Sequence, residues 1–258
     1  MTFDPSSANL RVGVVGAGTM GRGIAQVAVL AGAKVQISDI RSDAPAAAIA
    51  TIGSDLDRLL ERGKIGLDQA QAKTRLAAVG SDLSALADCD IVIEAILEDL
   101  ETKRSLFARL EEHVRPDCIL ATNTSSLSVT AIAGACRLAE RVAGLHFFNP
   151  VPVMKIVEVV PGLLTSGEVI TALEAFGRRL GHAVAVTRDT PGFLINHAGR
   201  AYGTEALRIA SEGIASVADI DRILTGAAGF RIGPFQLLDL IGLDVTHAVM
   251  ESLYRQFY

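Results

Sequence analysis

From Leu10 to Val186 the chain alternates short runs of β-branched residues with longer runs of helical composition, and this alternation constrains the fold more than any other feature. Leu10 to Val15, Val35 to Ser38, Ile91 to Ile93, Ile119 to Thr122, Val142 to His146, Ile156 to Val160 and Ala183 to Val186 are short and rich in Val, Ile and Ala, and read as strands of a buried sheet. Ile24 to Ala31, Ala44 to Arg62, Leu100 to His113 and Glu168 to Leu180 read as helices; in the second, Ile49, Ile52, Leu56, Leu59 and Leu60 recur at three-to-four spacing. Strands separated by helices require right-handed crossovers, which predicts a mostly parallel sheet. The pattern changes at Asp189-Thr190-Pro191-Gly192. Beyond it Phe193 to Ser211, Val217 to Leu224, Phe235 to Leu240 and Asp244 to Phe257 read as helices, the second of them capped by Ser216. The expectation is an α/β chain with a mostly parallel sheet over residues 1–189, followed by an all-helical domain over residues 190–258.

The first strand runs into Gly16-Ala17-Gly18-Thr19-Met20-Gly21, a G-x-G-x-x-G string that opens the first helix. In that position each glycine has a physical task. Gly16 permits the tight turn, Gly18 lets backbone approach a pyrophosphate, and Gly21 allows the helix to pack close to the strand. The helix N-terminus offers N–H groups and partial positive charge to phosphates. Asp39 ends the second strand, where a carboxylate accepts from ribose hydroxyls and repels a 2′-phosphate. Together these predict a Rossmann-type domain binding NAD through Gly16 to Gly21 and Asp39, with Arg41 leaving some tolerance of NADP open.

Composition narrows the partners. A chain of 258 residues that is 50% hydrophobic and 21% charged can bury a core without a metal or disulfide staple. Its net charge of −5 argues against a nucleic acid or an anionic membrane as partner. Cys89, Cys118 and Cys136 sit at no metal-ligand spacing and cannot all pair, so they read as reduced thiols of a cytoplasmic protein, and no metal site is expected. Met1 to Asn9 is short and polar, unlike a signal peptide, and the apolar stretches break well before the ~18 residues a membrane span needs.

His146 closes a strand and leads into Phe147-Phe148-Asn149-Pro150. Strand carboxyl ends are where ligands bind in open α/β sheets. Glu158 falls inside the next strand between Val157 and Val159, where a carboxylate is costly to bury unless something pairs with it. A neighbouring imidazole would do so, giving a base oriented by an acid; an edge-strand Glu facing water with an unrelated His is the competing reading.

The segments Gly16 to Gly23 (GAGTMGRG), Ile93 to Lys103 (IEAILEDLETK), Thr122 to Leu127 (TNTSSL), His146 to Val159 (HFFNPVPVMKIVEV), Asp189 to Asn196 (DTPGFLIN) and Gly233 to Val245 (GPFQLLDLIGLDV) together resemble the L-3-hydroxyacyl-CoA dehydrogenase family, 3-hydroxybutyryl-CoA dehydrogenases included. The resemblance spans almost the whole chain. It implies NAD-dependent interconversion of (S)-3-hydroxyacyl-CoA and 3-oxoacyl-CoA, in fatty-acid β-oxidation or butanoate-type metabolism, by a homodimer. His146 would be the general base and Glu158 its partner; Ser125 and Asn196 would hydrogen-bond the substrate oxygen or position the base. Glu98, Lys103 and Asn149 would contact the cofactor. The family is thought to place CoA near the helix after the second strand, where Arg58, Arg62 and Lys64 offer cations to its phosphates, although a solvated helix face explains them equally well. Family members of this type run further past Glu251 to Tyr258, so the helical domain is expected to be incomplete at its C-terminal end. Two other readings stand beside this one: a hydroxyacid dehydrogenase of the lysine-based type, and a non-catalytic NAD-binding relative resembling lambda-crystallin. Acyl-chain length and physiological direction are not set by these residues.

Overall fold

A computed structural model describes residues 4–257; Met1 to Phe3 and Tyr258, which belong to the leader and tail readings, lie outside the described residues. The chain divides into two compact units, Met1–Asp189 and Thr190–Tyr258.

The first unit contains eight strands: β1 (Arg11–Val15), β2 (Lys34–Ser38), β3 (Leu76–Gly80), β4 (Ile91–Glu94), β5 (Ile119–Thr122), β6 (Val142–Phe147), β7 (Ile156–Pro161) and β8 (Ala183–Val186). Its helices are α1 (Thr19–Leu30), α2 (Ala44–Glu61), α3 (Leu67–Ala70), α4 (Leu100–His113), α5 (Val129–Ala133) and α6 (Gly167–Arg179). The strands form one sheet in the order β3-β2-β1-β4-β5-β6-β7-β8. Among the described residues every pairing is parallel except β6 with β7.

Successive side chains leave opposite faces of the sheet, and helices cover both. Val12 and Val14 of β1 and Ile91 and Ile93 of β4 join a core with Ile24, Ile52, Leu56 and Phe176 from α1, α2 and α6. Val15 and Val92 join a second core with Leu106, Phe107, Leu110 and Ile132 from α4 and α5. This double burial is why the strands read as continuous apolar runs rather than as alternating ones. Truncating Phe107 or Phe176, both fully buried, to Ala would cost about 3–5 kcal/mol.

Besides the short helix α3, three elements depart from expectation. β3, with the sequence Leu-Ala-Ala-Val-Gly, has weak strand propensity and is held by its pairing with β2 at the sheet edge. α5 is too short for a periodic signal; Ser128 caps it by accepting from the Ala131 N–H. α1 begins at Thr19 rather than Ile24, because the glycine turn feeds directly into the helix.

The second unit is helical, as expected: α7 (Ile195–Ser211), α8 (Val217–Gly226), α9 (Pro234–Ile241) and α10 (Leu243–Phe257). Ser216 does cap α8, its hydroxyl accepting from the Asp219 N–H. Asp221 of α8, a buried carboxylate, takes the N–H groups of Phe235 and Gln236 and so caps α9.

Candidate functional site

Strand order reverses around β1: the chain moves from β1 to β2 and β3 on one side, then crosses to β4 and beyond on the other. Such a switch point leaves a crevice at the strands' carboxyl ends. The turn after β1 sits there and its shape depends on missing side chains. Gly16 has φ +106°, and a Cβ on it would lie 2.4 Å from the Ala95 carbonyl oxygen just past β4. A Cβ on Gly21 would lie 1.7 Å from the Gly16 carbonyl oxygen, so only glycine lets α1 start this close to β1. A Cβ on Gly18 would meet nothing within 4 Å. No neighbouring protein atom fills that space, which leaves room for backbone to approach a ligand. Gly18 is also the N-cap of α1 and supplies no side-chain cap, and no acid occupies the first turn, so the N–H groups near Thr19, Met20 and Gly21 face outward with partial positive charge.

Asp39 ends the β2 side of this crevice. Its Oδ2 accepts from the Ala17 N–H at 2.8 Å and its Oδ1 from the Arg41 N–H at 2.9 Å. The carboxylate is thus held beside the turn, with lone pairs left for ribose hydroxyls. A helix terminus open to anions and an oriented acid fit the pyrophosphate and ribose of a dinucleotide.

Farther along the sheet, β6 and β7 run antiparallel with His146 directly opposite Glu158. Both side chains are buried, and His146 Nδ1 lies 2.7 Å from Glu158 Oε2. The acid accepts from Nδ1–H, so Nε2 is the basic nitrogen. The Phe148 ring packs on the imidazole with centroids 4.4 Å apart. Asn123, just after β5, accepts the Phe147 N–H at 2.8 Å and ties this end of β6 to the neighbouring strand.

Between these two places lies a network of charge. Lys103 on α4 is buried, with Nζ 2.5 Å from Glu94 Oε1 and 3.2 Å from Glu98 Oε2. Glu94 is held in turn by the Thr122 hydroxyl at 2.7 Å and the Ile96 N–H at 2.7 Å. Glu98 Oε1 gathers the Thr124 hydroxyl at 2.5 Å and the N–H groups of Ser125 and Ser126 at 2.9 and 3.1 Å. Burial pushes the Glu98 carboxyl up, but attraction to Lys103 and these hydrogen bonds outweigh it and hold the group below its ordinary range. Glu98 therefore fixes the loop that carries Ser125.

The residues expected to form the site are distributed as follows. Gly16 to Gly21 and Asp39 meet at the β1 crevice, and His146 with Glu158 at the β6 end. Ser125 is half-buried in the loop fixed by Glu98, and Asn149 is exposed just beyond β6. Lys103, also expected at the cofactor, has its ammonium held at 1% exposure between the two glutamates, where it fixes Glu98. Arg58, Arg62 and Lys64 are exposed around the end of α2, where Arg58 donates to Ser54 Oγ at 3.1 Å. Asn196 stands in the first turn of α7 in the second unit. Sequence reasoning missed Glu94, Asn123 and Thr124 as organisers; each lies within or beside a segment singled out for other residues, but nothing in the string says which polar groups face inward. The thiols are free, and burial pushes Cys89 and Cys118 up to about 12 and Cys136 up to about 11, which removes them as nucleophiles. Among the described residues no cluster of His, Cys, Asp and Glu could hold a metal, and no helix is long and apolar enough to cross a membrane.

A dinucleotide-type crevice and a histidine–glutamate pair on one sheet define a nucleotide-dependent oxidoreductase class. Residues 11–190 match the family described as 3-hydroxyacyl-CoA dehydrogenase, NAD binding domain, and residues 192–258 match its C-terminal domain. The chain belongs to the 3-hydroxyacyl-CoA dehydrogenase family, oxidoreductases that use NAD. It is 45% identical to the 3-hydroxyadipyl-CoA dehydrogenase of Escherichia coli K12 over 96% of this chain, and spans 52% of that protein's length. It is 39% identical to the 3-hydroxybutyryl-CoA dehydrogenase of Bradyrhizobium diazoefficiens over 95% of this chain and 84% of the relative. The crystal structure of (S)-3-hydroxybutyryl-CoA dehydrogenase from Ralstonia eutropha superposes with a TM-score of 0.91 at 39% identity, covering 96% of this chain and 87% of that one.

Proposed function

We propose that the chain is an NAD-dependent enzyme interconverting (S)-3-hydroxyacyl-CoA and 3-oxoacyl-CoA. The observation that carries this reading is the 2.7 Å bond between the buried His146 and the buried Glu158 at the carboxyl end of β6. The glycine turn Gly16 to Gly21 and Asp39 would hold NAD, which when bound would supply the hydride acceptor. His146 Nε2 takes the proton of the substrate 3-hydroxyl as hydride departs from C3, and the C3–O bond becomes a carbonyl; in reduction the same nitrogen returns the proton. Glu158 stabilises the imidazolium formed in between. Ser125 and Asn196 are neutral donors whose chemistry suits the 3-oxygen, and Glu98, Lys103 and Asn149 are the residues proposed to contact the cofactor. Arg58, Arg62 and Lys64 are the cations proposed to meet CoA phosphates. Exposed Ile214, Val217, Ile223, Phe230, Leu240 and Leu243 on the helical unit support a homodimer, and the three free thiols support a reducing, cytoplasmic setting.

NADH absorbance after addition of acetoacetyl-CoA tests the reading. Rapid loss of absorbance is expected with NADH and much slower loss with NADPH. Asp39→Ala should weaken NADH binding more than NADPH binding, narrowing that preference. Binding of NADH without turnover would overturn the catalytic reading in favour of a binding-only relative.

A further inference from the structure

The loop that follows the candidate base is gripped at Val151, a buried residue outside the chemistry described above. Its side chain rests on α1 at Gly23: a Cβ on Gly23 would lie 2.9 Å from Val151 Cβ and 3.0 Å from its Cγ2. Gly23 is thus required by the loop, whereas Gly16 and Gly21 are required by the turn. From the other side, the Val151 carbonyl lies 3.3 Å from Nε2 of His182, whose Nδ1 lies 3.1 Å from the Leu180 carbonyl. His182 is buried just ahead of β8, and burial holds its pKa below the ordinary 6.5. The neutral ring has one N–H to offer the two carbonyls. The same ring meets Phe147 edge-on, with centroids 5.6 Å apart. Between the gripped residues Phe147 and Val151 stands Phe148, whose ring lies against the imidazole of His146.

We propose that Gly23, Val151 and His182 form a clamp that sets the catalytic imidazole in register with the cofactor helix α1. The inference rests on the dehydrogenase reading. One end of α1 faces the dinucleotide, Val151 docks the loop on the same helix, and Phe148 carries that placement to His146. Hydride transfer requires reacting atoms held near ~3–3.5 Å, and a displacement of ~1 Å can cost about 10²-fold in rate. All three are positioning residues.

The test uses Gly23→Ala, which drives a methyl into Val151, together with His182→Leu and His182→Gln, which remove or keep a donor. Gly23→Ala and His182→Leu should lower kcat for acetoacetyl-CoA reduction by about 10–10²-fold while NADH affinity, read by fluorescence, stays at the wild-type value. His182→Gln should recover most of the lost kcat. In the cofactor-free protein the ring C–H resonances of His146 should shift in Gly23→Ala, because Phe148 supplies a ring current at that distance. Wild-type kcat with an unmoved His146 resonance would overturn the clamp. Loss of kcat matched by equal loss of NADH affinity would overturn it too, since that marks a collapsed cofactor helix. If the wild-type protein did not turn over at all, the dehydrogenase reading would fail, and the His146 resonance would still decide whether the clamp holds the imidazole.

Discussion

The turn after β1 and the β6–β7 pair stand on one sheet but are made of opposite materials. The turn is a backbone site: Gly16 and Gly21 exclude side chains so that α1 can begin against β1, and Gly18 leaves open space before an uncapped helix end. The β6–β7 pair is a side-chain site, in which an antiparallel register sets a buried imidazole opposite a buried carboxylate. A backbone site works by what is absent, and any side chain added there either collides or blocks the ligand. A side-chain site works by pairing, and removing one partner strands the other in a low-dielectric interior.

The sharpest break between the two regions should come from His146→Gln. Turnover should fall by about 10²–10⁴-fold, the span of general acid–base catalysis, with NADH affinity nearly unchanged in a fluorescence titration. Retained turnover would remove His146 from the chemistry. The next effect divides the glycines from one another. Gly21→Ala places a methyl 1.7 Å from a carbonyl oxygen and should cost about 2–4 kcal/mol in urea unfolding. Gly18→Ala meets no protein atom, so its stability should match wild type while NADH binding weakens about tenfold, ~1.4 kcal/mol. Equal stability losses in both variants would erase the distinction between a structural and a ligand glycine.

The smallest effect concerns the buried groups around the two sites. The folded pKa of His182 lies below its ordinary 6.5, so the unfolded chain takes up that proton first and stability falls as pH drops below about 6.5. The folded pKa of Glu98 lies below its ordinary 4.5, so its contribution is whole above about that pH and is lost on further acidification. Urea unfolding between pH 8 and about 2.5 should show two successive declines. Glu98→Gln should shrink the lower one, which Glu111 and other carboxylates share, and His182→Gln should abolish the upper one, whereas a flat profile would remove both contributions.

Much of this architecture was legible because it leaves a local trace. Strands buried on both faces must be apolar throughout, helices between them must repeat at three-to-four spacing, and a backbone site must show its glycines in order. The break in pattern at Asp189-Thr190-Pro191-Gly192 is local in the same way. β3 and α5 left no such trace, because Leu-Ala-Ala-Val-Gly becomes a strand only beside β2 and five residues are too few to show a period.

The amino-acid sequence by itself determined the strand–helix alternation, the glycine turn after the first strand, the acid at Asp39 and the positions of His146 and Glu158 on their strands. Only the tertiary structure decided that β7 runs antiparallel to β6, which puts Glu158 across from His146. It alone decided that Lys103 stands between Glu94 and Glu98, and that Glu98 binds the serine loop. Periodicity reports which side chains avoid water. It carries no information about which buried polar groups face one another, since that depends on strands and helices far apart in the chain being brought within hydrogen-bond reach.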